Sequence, residues 1–127
     1  MKIKVFEMNT SVQNKILITF SSPYGSAHGF WVERVPEISK SYDVEFDIPQ
    51  TLVLGKDITK AELDEFRVWC VNDDNYICAE FHSFEDNYLT VRFGKSLIFI
   101  ETEGEPILNY KFLTTCFRKM NIYPYSL

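Results

Sequence analysis

Tyr42-Asp43-Val44-Glu45-Phe46-Asp47-Ile48 alternates large apolar side chains with acids over seven residues. Successive side chains of a β-strand point to opposite faces, so this period of two predicts one face packed on a core and one in water. Pro49 ends the pattern, and Leu52-Val53-Leu54 resumes it before Gly55.

The same grammar extends in both directions. Toward the N-terminus, short apolar segments at residues 2–8, 15–20 and 30–35 are separated by Asn9-Thr10-Ser11 and by Ser21-Ser22-Pro23-Tyr24-Gly25, with Pro36 closing the third. Toward the C-terminus, segments at 67–71, 76–83, 88–93, 96–102 and 110–118 are punctuated by Asn72-Asp73-Asp74-Asn75, Glu85-Asp86-Asn87, Gly94-Lys95 and Gly104-Glu105-Pro106. Strands at roughly ten-residue spacing between turn signals predict a β-barrel or a closed β-sandwich. One interruption is expected. Thr59 and Glu62 have capping-box spacing and Ile58 and Leu63 staple spacing, which predicts a short helix near residues 59–66 with Leu63 and Phe66 facing inward.

Composition agrees. Of 127 residues, 48 are β-branched or aromatic and three are alanine, a balance that favours strands over helices. The chain is short enough for one domain spanning 1–127, and it shows no internal repeat or linker-like stretch. The fold expected is therefore all-β and mainly antiparallel: a single barrel or closed sandwich of eight to ten strands, OB-like in being small, aromatic-rich and interrupted by one helix.

Register can be read for one hairpin. A three-residue loop at Glu85-Asp86-Asn87, closed by Phe84 opposite Tyr88, pairs Ser83 with Leu89, Phe81 with Val91 and Ala79 with Phe93 on one face, and His82 with Thr90 and Glu80 with Arg92 on the other. A two-residue turn at Gly94-Lys95 then sets Leu97 beside Arg92 and Phe99 beside Thr90. That puts two large apolar side chains on a polar face. The helix at 59–66 or a further strand is expected to cover them, and otherwise they form a recognition patch.

The longest apolar runs are four residues, against about 20 for a membrane-spanning helix, and the N-terminus lacks the apolar stretch of a signal peptide. Cys70, Cys78 and Cys116 are odd in number and unclustered, which predicts reduced core thiols in a cytoplasmic protein. The net charge of −5 is concentrated in residues 33–65, where nine acids stand against four bases. An acidic surface repels phosphate backbones and attracts cationic partners.

Bond-making machinery is hard to find. His28 lies in a glycine-bounded stretch read as a loop, with Ser26 too close in sequence to converge on it and no nucleophile elbow nearby. Zinc-ligand spacing, a complete calcium loop and a phosphate loop are all lacking, so no metal or cofactor is expected. Nor is an enzymatic activity. The leading expectation is a binding module for a basic protein, of the inhibitor or immunity type. Asp43, Glu45 and Asp47 would steer that partner, with Trp31 and Phe99 as aromatic anchors. An OB-like single-strand nucleic-acid binder is the second reading, using Tyr24, Phe30 and Trp31 with Lys2, Lys4, Lys15 and Arg34. A small-molecule site formed by Tyr76, Glu80, His82, Tyr88 and Arg92 is the third. The aromatic tail at 123–127 is expected to pack on a barrel rim or fray.

Overall fold

The computed structural model describes residues 1–10, 15–106 and 109–125, and its regular elements are all strands. In chain order they are β1 (Lys2–Thr10), β2 (Ile16–Ser22), β3 (Gly25–Trp31), β4 (Ser41–Asp47), β5 (Leu52–Val53) and β6 (Ile58–Lys60). There follow β7 (Arg67–Val71), β8 (Asp74–Glu85), β9 (Tyr88–Phe93), β10 (Ser96–Glu103), β11 (Phe112–Phe117) and β12 (Asn121–Pro124). Among the described residues no helix is long and apolar enough to cross a membrane. Ser11, Ser126 and Leu127, which belong to the expected first break and the tail, lie outside the described residues.

A closed barrel of five strands organises one part of the sheet. β1, β2 and β3 form an antiparallel meander, and β4 returns antiparallel to β1, giving the Greek-key order 4-1-2-3. β12 closes the ring by pairing antiparallel with β4 and parallel with β3. The closing strand takes in Tyr123 and Pro124, the start of the tail expected to pack on a barrel rim or fray. Ile122 is fully buried.

The remaining strands continue from β3 through β7, β8, β9 and β10 to β5, while β11 pairs with β8 and β6. The junction is narrow. Gly25 pairs with Val68, and the Val68 N–H donates to the Tyr24 C=O at 2.9 Å. Buried Asn75 adds a second tie, its Nδ2 donating to the His28 C=O at 3.0 Å. One continuous core joins the two parts, with Phe46 packed on Phe20 at 5.6 Å and on Phe93 at 6.3 Å between ring centroids. Full burial of a side chain such as Phe20 contributes about 1.5–3 kcal/mol.

Four expectations are corrected. The helix at 59–66 does not form: Ile58–Lys60 is a strand paired with β11, and the Ala61 N–H continues that ladder to the Phe112 C=O at 3.1 Å. A helix of about seven residues has too few internal hydrogen bonds to offset nucleation, and here a ladder partner competes for its first residues. Leu63 is therefore exposed, whereas Phe66 still turns inward onto Tyr24, Phe93 and Phe112. The third strand lies at Gly25–Trp31 rather than 30–35, so His28 is a strand residue opposite Thr19. Cys70 is exposed rather than in the core. There are twelve strands among the described residues rather than eight to ten.

The β8–β9 hairpin differs in its turn but keeps its far register. Glu85 pairs with Tyr88 across a two-residue turn, Asp86 and Asn87 having φ of 51° and 66°. Ser83 then meets Thr90, not Leu89. A bulge at His82 restores the count, so Phe81 meets Val91 and Glu80 meets Arg92. The β9–β10 pairs Arg92–Leu97 and Thr90–Phe99 are found where the sequence places them.

Candidate functional site

Alternation along β4 puts Val44 and Phe46 in the core and Asp43, Glu45 and Asp47 outside or at its margin. β12 lies beside it with Tyr123 opposite Glu45 and Pro124 opposite Val44, and the Tyr125 N–H bonds the Asp43 C=O at 2.9 Å. The acids consequently share a surface with the two C-terminal tyrosines. The Tyr125 hydroxyl donates to Glu45 Oε1 at 2.8 Å, and Asn121 Nδ2 reaches Asp47 Oδ2 at 3.4 Å. The hydrogen bond to Glu45 pushes the Tyr125 phenol above its ordinary pKa, with partial burial and the charges of Glu45 and Asp43 adding to it.

Across from this surface runs β10. Its inner residues Ile98 and Ile100 are buried, and its outer residues Leu97 and Phe99 are 41% and 63% exposed. The expected cover over these two is not there, because Phe66 packs instead over the Arg92 guanidinium at 5.1 Å. Between the strands lies a cleft of about 660 Å³ lined by Glu45, Asp47, Lys95, Leu97, Phe99, Tyr123 and Tyr125, among others. The Met1 amino group ties β4 to β10, donating to the Val44 C=O at 3.2 Å and to Ser96 Oγ at 3.1 Å.

A larger cleft of about 1010 Å³ adjoins it, formed where the 33–40 connection folds over Trp31, Tyr42 and Asp43. Tyr125 borders both clefts. Trp31 does not project from the surface. It is buried, packs edge-on against Tyr42 at 4.8 Å and donates its indole N–H to the Arg34 C=O. The five residues expected to meet a protein partner thus divide between the two clefts. Trp31 and Asp43 line the larger, and Glu45, Asp47 and Phe99 line the smaller.

Tyr76, Glu80, His82, Tyr88 and Arg92 do not converge. Arg92 is committed to Glu80 and to the Gly94 C=O at 2.7 Å, and His82 sits exposed in the bulge with its Nδ1 3.3 Å from Ser83 Oγ. Tyr76 lies four residues up β8 from Glu80, about 13 Å along a strand. It stacks there on Trp69 at 5.2 Å and 8°, while Arg67 covers the Trp69 ring at 4.8 Å. Hydrogen bonding to Cys116 raises the Tyr76 pKa. Arg67, Trp69 and Tyr76 form a filled ladder rather than an open stacking platform. Among the described residues, no group of three or more His, Cys, Asp or Glu is arranged to hold a metal ion.

Leu97 was read from the sequence with Phe99 as a recognition patch should nothing cover the pair, whereas Tyr123 and Tyr125 were not assigned to partner binding, because their position depends on barrel closure. No family model, curated protein or solved structure matches the chain.

Proposed function

We propose that this protein is a non-enzymatic module that docks a basic partner protein in the cleft between β10 and the β4–β12 pair. One observation carries the reading: Leu97 and Phe99 from one strand and Glu45 and Asp47 from another line the same cleft. Carboxylates at a rim speed encounter with a cationic surface, and aromatic side chains supply anchors that hold it. An inhibitor or immunity-type role against a basic enzyme uses this combination. The free thiols of Cys70, Cys78 and Cys116 support a reducing, cytoplasmic setting.

A native pull-down at low ionic strength tests the proposal. It is expected to recover a basic protein that Glu45→Gln/Asp47→Asn and Phe99→Ser each lose by about tenfold, some 1.4 kcal/mol of binding. Phe99 is exposed, so Phe99→Ser should leave the unfolding curve in place. Equal recovery by all three proteins rejects the reading.

A second reading rests on topology. The Greek-key ring has five strands, the number in an OB-fold, and barrels of that fold bind single-stranded oligonucleotides. Lys15, 5.6 Å over the Phe30 ring on the β2–β3 face, is the pairing of cation and aromatic that such binding uses. Salt-sensitive retention on an oligonucleotide column supports it, and absence of retention at low salt removes it.

A further inference from the structure

The docking proposed above uses the smaller cleft. We infer that the larger one is a separate ligand site, and that its ligand is a ribonucleoside phosphate. Its wall is the 33–40 connection, which is tied along its length. The Val32 N–H donates to the Ile122 C=O at 3.0 Å, and the Trp31 indole N–H holds the Arg34 C=O. The Glu37 N–H donates to the Tyr42 hydroxyl at 2.8 Å, and the Ser39 N–H to the Val5 C=O at 2.6 Å. The Lys40 C=O accepts from the Val5 N–H at 3.1 Å.

Glu33 and Ser39 take φ of 91° and 72°, a left-handed region that residues with a Cβ disfavour. Strain of this kind persists only where the surroundings impose it, and it gathers at ligand clamps. Between the two, the chain presents Arg34, Val35, buried Pro36 and Glu37 to the cleft. A wall fixed before binding loses little freedom when a ligand arrives.

The lining sorts into three chemistries. Trp31, Pro36, Tyr42 and Pro124 supply aromatic and proline surface against which a base packs. Lys2 and Arg34 are cations without an ion pair or side-chain hydrogen bond among the described residues, and Glu33 and Asp43 are carboxylates in the same condition. Lys40 and Glu37 engage each other at 3.6 Å. Lys2 stands opposite Asp43 across the β1–β4 ladder, which sets an open cation beside an open acid. A phosphate accepts from the Arg34 fork and the Lys2 ammonium. Ribose hydroxyls donate to Glu33 or Asp43, the bond by which a carboxylate recognises the sugar of a dinucleotide. Two open cations and two open carboxylates disfavour simpler ligands, because a polyanion would meet the acids and a lysine side chain would meet Lys2 and Arg34. A nucleotide brings anion, hydroxyl donors and ring together. The volume of about 1010 Å³ lies at the upper end of clefts that hold small molecules, about 300–1,000 Å³.

Calorimetric titration of the full chain with AMP, GMP, CMP and UMP tests the assignment. At least one is expected to bind with a Kd below about 1 mM. For that nucleotide, Arg34→Ala and the 2′-deoxy analogue should each weaken binding about tenfold, and the matching nucleoside and inorganic phosphate should each bind at least about tenfold less tightly. Arg34 is exposed, so Arg34→Ala should keep the unfolding curve of the parent chain. No binding of any of the four overturns the inference. So does binding within about twofold of the parent by Arg34→Ala, by the deoxynucleotide, or by inorganic phosphate in place of the nucleotide. None of these results bears on the docking reading, which the pull-down tests separately.

Discussion

Arg92 meets Glu80 across the β8–β9 hairpin through two hydrogen bonds to one carboxylate oxygen, from Nε at 3.1 Å and from Nη2 at 2.9 Å. The turn beyond them is one residue shorter than the sequence suggests, and the bulge at His82 absorbs the difference. A double-mutant cycle on Glu80→Ala and Arg92→Ala should give a coupling of about 0.5–1 kcal/mol, since the pair is partly exposed. Arg92→Ala alone should cost more than Glu80→Ala, because it also removes the bond to the Gly94 C=O and the cover over Phe66. Urea unfolding of the four proteins measures both.

Asp86 and Asn87 occupy the left-handed region that this two-residue turn requires. Asn87→Gly should be neutral or slightly stabilising. Asn87→Val forces a β-branched side chain into that conformation and should cost about 1–2 kcal/mol. Denaturation midpoints separate the two; equal midpoints would mean that the turn had rearranged.

Gly25 is where the barrel joins the remaining strands. Its φ is 132°, and a Cβ there would collide with the Val68 carbonyl oxygen. Gly25→Ala should therefore be among the most damaging substitutions in the chain, costing more than about 3 kcal/mol or preventing folding. Thermal unfolding of Gly25→Ala beside Gly55→Ala tests this. Gly55 also has a positive φ but open space around it, so its alanine variant reports the backbone cost alone.

The thiols should react in the order Cys70, Cys116, Cys78, following exposed, half-buried and buried positions. Burial pushes the Cys116 thiol above its ordinary pKa, although its hydrogen bond with Tyr76 and the charge of Arg118 work the other way. The folded chain then holds that proton more tightly than the unfolded one. Its contribution to stability is complete below the unfolded thiol pKa of about 8.5 and is lost as pH rises through the folded value. Stability measured from pH 7 to 10 should fall less steeply for Cys116→Ser than for the parent chain. Parallel curves would show that the thiol is not responsible.

Legibility followed the range of the interaction. The alternation at 42–48 and the turn at Gly94-Lys95 are local, and strand β4 and the pairs Arg92–Leu97 and Thr90–Phe99 are found as read. The 59–66 segment misled because its capping pattern is equally local, while the ladder that claims Ile58–Lys60 comes from β11, more than fifty residues away. Glu45, Asp47 and Phe99 were each visible as candidates, but their convergence was not. Tyr123 and Tyr125 join them only because β12 seats beside β4.

The sequence by itself determined that the chain is pleated, which residues of β4 face the core, and how β9 turns into β10. Side-chain period and turn conformation are properties of neighbouring residues, so they survive without knowledge of the rest. Tertiary structure alone decided that Asn121 would pair with Asp47 and close the barrel, that residues 61–66 would stay unwound, and that Leu97 and Phe99 would remain uncovered. Those outcomes depend on which distant edges and faces satisfy one another, a competition across the whole chain that no local window contains.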